Sequence, residues 1–306
     1  MPLQPLRDER PFRRKLPGLA LGLAGAAVLL PSLLLCNLIQ ILSLILVPFS
    51  RHAVRAVNRW LADAWWGAAA AAARTFLGIR VVVTGDELPR GENALLVVNH
   101  QGMTDIPVLL ELAARTGRLG DLKWYVKDVL KWVPGIGWGM VFLDCLFITR
   151  AWTEDEGRIR RVFRRILRDR VPVWVASFVE GTRLRPGKLE RARAWAAERG
   201  LHPLAHVLQP RTKGFVATLQ GLEGHLDAVY DLVIGYEGGV PDLVQWSTGA
   251  VSRVHLHVRR TAVPVLPPDG EGRAAWLLER FREKDRLLDG FYRDGCFEGR
   301  DPSLPS

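Results

Sequence analysis

Hydrophobic positions along the chain follow one pattern near the N-terminus and another after it. From Pro17 to Ser50 no residue carries a charge, in the run PGLALGLAGAAVLLPSLLLCNLIQILSLILVPFS. One membrane-spanning helix needs about 20 apolar residues, and this run is longer. The next stretch, SRHAVRAVNRWLADAWWGAAAAAARTFLG, is rich in alanine and reads as a helix. From about Ile79 onward, short β-branched runs alternate with helical stretches. IRVVVTG and NALLVVN read as strands and IPVLLELAARTG as a helix. MVFLDCLFITR reads as a strand and EDEGRIRRVFRRILRDR as a strongly basic helix. VPVWVASFV predicts a strand, LERARAWAAERG a helix and LDAVYDLVIGY another strand. In SRVHLHVRRTAV, Val254, Leu256 and Val258 fall on one face and His255, His257 and Arg259 on the other, as in a half-exposed strand. GRAAWLLERFREKDRLLDGFYRDG closes the series as an amphipathic helix. This alternation predicts an α/β domain with a largely parallel sheet flanked by helices over 79–306. A membrane anchor and an interfacial helix precede it over 1–78.

The anchor has further sequence signals. A cleaved signal peptide fits poorly, because the apolar part is too long and no small-residue site leads into a polar mature start. Pro31 divides the run into two pieces, each short for a full span. Arg7, Arg10, Arg13, Arg14 and Lys15 precede it, and Arg51, Arg55 and Arg59 follow. Positive charge prefers the cytoplasmic side, so basic residues on both flanks predict a bent helical hairpin that enters and leaves by one face. A single span is the simpler alternative. Trp60, Trp65 and Trp66 suit either the headgroup level or packing against the main domain.

Charge narrows the choice of partner. The net charge of +10 over 306 residues points to an anionic partner such as nucleic acid, a phospholipid surface or a phosphorylated substrate. The apolar N-terminus argues against nucleic acid, as does the lack of a recognisable nucleic-acid-reading motif. Cys36, Cys145 and Cys296 are far apart and form no CxxC or Cys/His spacing, so neither a disulfide framework nor a zinc site is expected.

In open α/β sheets, ligands sit beyond the carboxyl ends of the strands. Three apolar runs end there in chemically capable residues. LLVVN runs into His100, with Asp105 after a short loop. FLDCLFIT runs into Arg150, and VPVWVASFV into Glu180, Gly181, Thr182 and Arg183. A fourth cluster, LQPRTKGF, supplies Arg211 and Lys213 beside Pro210. Each has an ordinary structural reading: a hydrogen-bonded histidine, surface arginines, a glutamate capping a turn. Together they predict one cleft with a histidine–carboxylate pair and several cations, suited to a phosphate-bearing substrate and to proton abstraction from a hydroxyl.

These residues resemble the motifs of the glycerolipid acyltransferase superfamily, in particular its 1-acylglycerol-3-phosphate (lysophosphatidic acid) acyltransferases. NHQGMTD is similar to the first motif, NHxSxxD, and VPGIGWGMVFLDCLFITR to the second, whose arginine falls on Arg150. FVEGTR matches the third. LQPRTKGF resembles the fourth, in the form used by the branch related to lysocardiolipin and other lysophospholipid acyltransferases. The resemblance runs from about Asn37 to Tyr236, with a weaker echo in EKDRLL. Gly102 stands where many members carry serine, and Thr149 where many carry aspartate.

The resemblance implies an enzyme with a general base, His100, oriented by Asp105. Acceptor binding falls to Arg150 and the Glu180–Arg183 block, with Arg211 and Lys213 assisting and backbone N–H groups near the first motif stabilising an oxyanion. The acyl donor is acyl-CoA or acyl-carrier protein, a co-substrate, and no metal or other cofactor is implied. The acceptor is the sn-2 hydroxyl of 1-acyl-sn-glycerol-3-phosphate, or that of another lysophospholipid such as lysocardiolipin or lysophosphatidylinositol. A non-catalytic protein that binds anionic lipid is the reading of a different class. Alanine- and arginine-rich composition suggests a bacterial cytoplasmic membrane, with the catalytic part facing the cytoplasm.

Overall fold

The computed structural model describes residues 5–149, 152–200 and 202–298. The apolar runs after Ile79 form one seven-stranded sheet among the described residues. Its strands are β1 (Arg80–Gly85), β2 (Ala94–Val98), β3 (Leu122–Lys127), β4 (Leu146–Ile148), β5 (Trp174–Ser177), β6 (Ala228–Tyr236) and β7 (Arg253–Ala262), in the order β1-β7-β6-β2-β5-β3-β4. Every neighbouring pair is parallel except β6 and β7. Thus β6, β2, β5, β3 and β4 all present their carboxyl ends at one edge, while β7 and β1 run the other way. β2 is buried at every position, as expected of a central parallel strand whose sequence is a continuous apolar run.

Helices cover both faces. On one lie α2 (Arg51–Phe76) and α3 (Asp105–Thr116), over a core that includes Val108, Leu109 and Leu112. On the other lie α5 (Trp152–Arg168), α7 (Thr212–Gly221) and α9 (Gly270–Asp294). α5 buries Ile159, Phe163 and Ile166 along one stripe and turns its arginines outward. α4 (Ile136–Phe142), α6 (Pro186–Ala197) and α8 (Leu243–Ser247) complete the layers.

The N-terminal run departs from the expected bend at Pro31. α1 (Phe12–Ser43) is one continuous helix with Pro17 and Pro31 inside it. A proline removes one helical N–H, a loss that packing of the helix against its neighbours can outweigh. Here Trp65 Nε1 on α2 donates to Ser32 Oγ at 3.1 Å, and Leu33 is buried against Gly135. The chain reverses instead after a 3-10 turn at Leu44–Leu46, and Ser50 Oγ accepts from Ala53 N at 3.1 Å to cap α2. The tryptophans divide between the two readings: Trp60 is exposed, while Trp66 packs against the core and Trp65 holds α1.

Three further differences have local causes. MVFLDCLFITR is not one strand: Met140, Val141 and Phe142 end α4, Asp144 turns at φ 57°, and only Leu146–Ile148 is extended. Gly137 makes this packing possible, since a Cβ there would lie 1.8 Å from the Leu130 carbonyl oxygen. β7 is partly exposed on its polar face, as expected at His257 and Arg259, but α9 and the segment after it cover more of that face than alternation suggests: His255 is buried against Phe291, and His257 lies against Phe297. Finally, LKWYVK forms β3 and TKGFVATLQG forms α7, where the hydrophobic pattern had suggested no element.

One charged residue ties α9 to the sheet. Lys284 is fully buried within the apolar stripe of Leu277, Phe281, Leu288 and Phe291. Its Nζ pairs with Asp231 of β6 and donates to the carbonyls of Val97 (3.1 Å) and Leu232 (2.6 Å). Removing one partner of a buried pair leaves the other charge uncompensated, which typically costs about 3–5 kcal/mol. Lys284→Met is therefore expected to lower unfolding stability by about that amount, and adding Asp231→Leu to recover much of it. Denaturant titration of both variants checks this; equal losses in the single and double variants would contradict it.

Candidate active site

The loop beyond β2 is fixed before its histidine appears. Asn99 bridges to β6, donating through Nδ2 to the Ile234 carbonyl (3.1 Å) and accepting through Oδ1 from Ile234 N (2.8 Å). This continues the strand pairing past the end of β2. His100 N then donates to Glu180 Oε1 (2.9 Å), and the His100 carbonyl accepts from Leu184 N (2.7 Å).

Asp105, the first residue of α3, is completely buried and accepts four hydrogen bonds. Its Oδ2 receives His100 Nδ1 at 2.8 Å, Gln101 N at 2.7 Å and Gly102 N at 2.9 Å. Its Oδ1 receives the Tyr236 hydroxyl at 2.8 Å. Burial and the neighbouring Asp105 push the Tyr236 phenol well above its ordinary range, so it serves as a neutral donor. A carboxylate at Nδ1 selects the Nδ1–H tautomer and leaves Nε2 as the proton acceptor. The imidazole stacks on Phe178 with ring centroids 4.0 Å apart, and its side chain is 14% exposed, enough to meet a substrate. With the amides of His100, Gln101 and Gly102 already committed, those N–H groups are not free to hold an oxyanion.

Gly102 has a steric explanation. A Cβ there would lie 2.7 Å from Val240 Cγ1 and 3.2 Å from Thr104 Oγ1. Val240 therefore occupies the space a serine side chain would need. Thr149 directs both its N–H and its hydroxyl to Asp155 Oδ1, at 2.7 and 2.9 Å, beside the start of α5.

Structure separates the roles expected of the third motif. Glu180 is buried, with Oε1 on His100 N and Oε2 accepting from Leu208 N at 3.3 Å. Burial pushes its carboxyl up to about 8, against the two backbone N–H bonds that favour the charged form. The side chain sits beneath the histidine loop, buried from solvent. Gly181 turns at φ 70°, and the Arg211 guanidinium lies against its backbone. Thr182 Oγ1 accepts from Lys188 Nζ. Among the described residues, Arg183 and Arg211 have no carboxylate partner. Lys213 lines a separate groove of about 860 Å³ between α5, α7 and the start of α9, with Arg160, Arg164 and Glu271. Arg150 lies outside the described residues. Within them, no group of three or more His, Cys, Asp or Glu side chains is placed to hold a metal ion.

Comparison with known proteins identifies the family. The family model described as Acyltransferase matches residues 80–224, and Acyltransferase C-terminus matches 248–306. The chain is 32% identical over 299 residues to 1-acyl-sn-glycerol-3-phosphate acyltransferase 3 of Arabidopsis thaliana, covering 92% of this chain and 77% of that protein. It belongs to the 1-acylglycerol-3-phosphate acyltransferase family.

Two other relatives are similar over shorter stretches. One is "Probable 1-acyl-sn-glycerol-3-phosphate acyltransferase 5" of Arabidopsis thaliana, 37% identical over 71% of this chain; the chain spans 58% of that protein's length. The other is Lysocardiolipin acyltransferase 1 of Danio rerio, 35% identical over 76% of this chain and 62% of its own. The fold is shared with the acyltransferase PlsC of Thermotoga maritima, at a TM-score of 0.53 and 20% identity, over 90% of this chain and 98% of that one.

Sequence reasoning about this acyltransferase missed Tyr236, Phe178 and the bracing position of Glu180. Tyr236 gave a usable signal, a polar group closing an apolar strand at the edge where His100 emerges. A raised folded-state value for Glu180 means that its contribution is greatest at low pH and is lost as pH rises toward about 8. Denaturation across pH about 4.5 to about 8 is expected to show wild type losing stability relative to Glu180→Gln. Parallel curves would contradict this placement of the carboxyl.

Proposed function

We propose that this acyltransferase moves a fatty acyl group from an acyl-CoA or acyl-carrier-protein thioester to the sn-2 hydroxyl of 1-acyl-sn-glycerol-3-phosphate. The observation that carries the reading is the buried Asp105 carboxylate fixing Nδ1 of a partly exposed His100. In the proposed step, His100 Nε2 takes the proton of the acceptor hydroxyl as its oxygen attacks the thioester carbonyl. The tetrahedral intermediate collapses, the C–S bond breaks, and the imidazolium returns the proton to the departing thiolate. Asp105 steadies the imidazolium between the two transfers. Arg183 and Arg211, without carboxylate partners among the described residues, suit the acceptor phosphate, as would Arg150, which follows β4 in the sequence.

The acceptor is drawn from a membrane. α1 is long and apolar enough to cross one, yet it docks on the catalytic part near its start and again from Leu33 onward. A Cβ on Gly18 would lie 2.2 Å from the Thr248 carbonyl oxygen, and Leu33 and Asn37 reach Gly135. Such a helix lies alongside the domain and holds it at the bilayer. The face meeting acyl thioesters is assigned to the cytoplasm, where those donors are made.

Similarity to Lysocardiolipin acyltransferase 1 supports a second acceptor class, which the same base would serve. Purified protein assayed with lysophosphatidate, lysocardiolipin and lysophosphatidylinositol, each with acyl-CoA and acyl-carrier protein, separates them. Lysophosphatidate is expected to turn over fastest, and His100→Ala to lower turnover by at least about a hundredfold while membrane association persists. Turnover of the other lysolipids alone would overturn the acceptor assignment. Undiminished transfer by His100→Ala would overturn the base.

A further inference from the structure

Between β3 and β4 the chain carries an apolar surface that the acyl-transfer chemistry does not use. The segment DVLKWVPGIGWGMVF forms a 3-10 turn (Asp128–Trp132) and α4. Trp132 is 74% exposed and Val129 64% exposed, and Val133, Ile136, Trp138 and Val141 are exposed beside them. Soluble surfaces rarely gather so many large apolar side chains, and such a patch marks a contact with a partner or a membrane.

We propose that the segment from Lys127 to Phe142 is a second lipid-contacting element, with Trp132 and Trp138 seated at the headgroup level of an anionic bilayer. Its apolar surface is continuous with that of α1. Gly135 N donates to Asn37 Oδ1 of α1 at 2.9 Å, and a Cβ on Gly135 would lie 2.9 Å from a Leu33 methyl. Leu34, Leu35, Leu38 and Ile41, on the same stretch of α1, remain exposed. The composition suits an interface, because indole rings bury their bodies while keeping the N–H wet.

Cations surround the patch. Lys131 Nζ pairs with Asp128 at 2.7 Å and stands 5.4 Å from the Trp132 ring centroid, and Lys127 is exposed. On α5, Arg158 pairs with Asp128 at 3.3 Å and Arg165 with Asp144 at 2.9 Å. Those pairs turn this face of α5 toward the segment. Arg161, three residues after Arg158 on that face, is exposed and has no carboxylate partner among the described residues. Lipid phosphates complement such a rim. A second copy of the chain would have to cover both this patch and the adjoining surface of α1.

The placement has a consequence for access. The segment follows the carboxyl end of β3 and leads into β4, so it borders the edge from which His100 emerges. Seating it in lipid brings that edge to the bilayer surface. The inference rests on the membrane residence proposed above and not on the identity of the acceptor.

The test is depth measurement by spin labelling of the full chain with its three native cysteines replaced. Single labels are placed by Trp132→Cys, Val129→Cys and, as a reference at the opposite sheet edge, Glu223→Cys. All three positions are exposed, so the labels leave the core intact. The protein is bound to vesicles of phosphatidylglycerol and phosphatidylethanolamine. Labels at 132 and 129 are expected to lose collisions with a water-soluble nickel chelate and gain collisions with oxygen, while the label at 223 keeps its aqueous profile. Nickel accessibility at 132 and 129 equal to that at 223 would overturn the proposal. So would protection accompanied by dipolar broadening between labels at 132, which would place a second copy on the patch. The readout needs no turnover, so its failure leaves the proposed reaction standing, and a different acceptor leaves this inference standing.

Discussion

A single buried carboxylate, that of Asp105, organises the polar end of this molecule. A charge removed from water is costly unless donors replace its hydration, and Asp105 has four of them. They come from three parts of the fold: the His100 ring, the Gln101 and Gly102 amides, and the Tyr236 hydroxyl at the end of β6. Its position in the first turn of α3 adds the favourable end of a helix dipole. The same bonds that make the carboxylate tolerable also bring β2, β6 and α3 into register. Stability and the orientation of the His100 ring therefore share one group, and a change that loosens any of the donors acts on both.

Two further charged groups extend this arrangement beneath the site. Glu180 fastens the His100 backbone to the loop at Leu208, and Lys284 fastens α9 to the carbonyls of Val97 and Leu232. Each reaches a backbone atom at or just past the end of β2, His100 N for Glu180 and the Val97 carbonyl for Lys284. Burial raises the Glu180 carboxyl and lowers the Lys284 amine, so both are held toward their neutral forms. Asp231 opposes that trend for Lys284. Arg183 and Arg211, by contrast, have no carboxylate partner among the described residues.

Local patterns reveal much of this arrangement. The strand–loop–helix order around NHQGMTD is carried by β2's apolar run and by the amphipathic start of α3, both short-range signals. Tertiary contacts decide what local signals do not. Pro31 is an ordinary helix breaker in the sequence, and only Trp65 and Gly135 show why α1 passes through it. Met140 to Phe142 are β-branched and aromatic enough to read as strand, but glycine contacts at Leu130 make them helical. Glu180 lies beside Arg183 in sequence and reads as part of the same binding block, yet its side chain turns inward under the loop. Lys284 occupies a core position of an otherwise regular apolar stripe, which periodicity would treat as an exception. Its partner was visible as a lone carboxylate in the buried strand YDLVIGY.

The state of the His100 ring tests this arrangement most directly. Nitrogen-15 NMR of histidine-labelled protein, with the resonance assigned by its loss in His100→Asn, reports which ring nitrogen carries the proton. Where the imidazole is neutral, the Asp105 contact predicts a protonated Nδ1 and a bare Nε2, shifting toward a mixture in Asp105→Asn. A neutral ring protonated at Nε2, or a tautomer indifferent to Asp105→Asn, would contradict it.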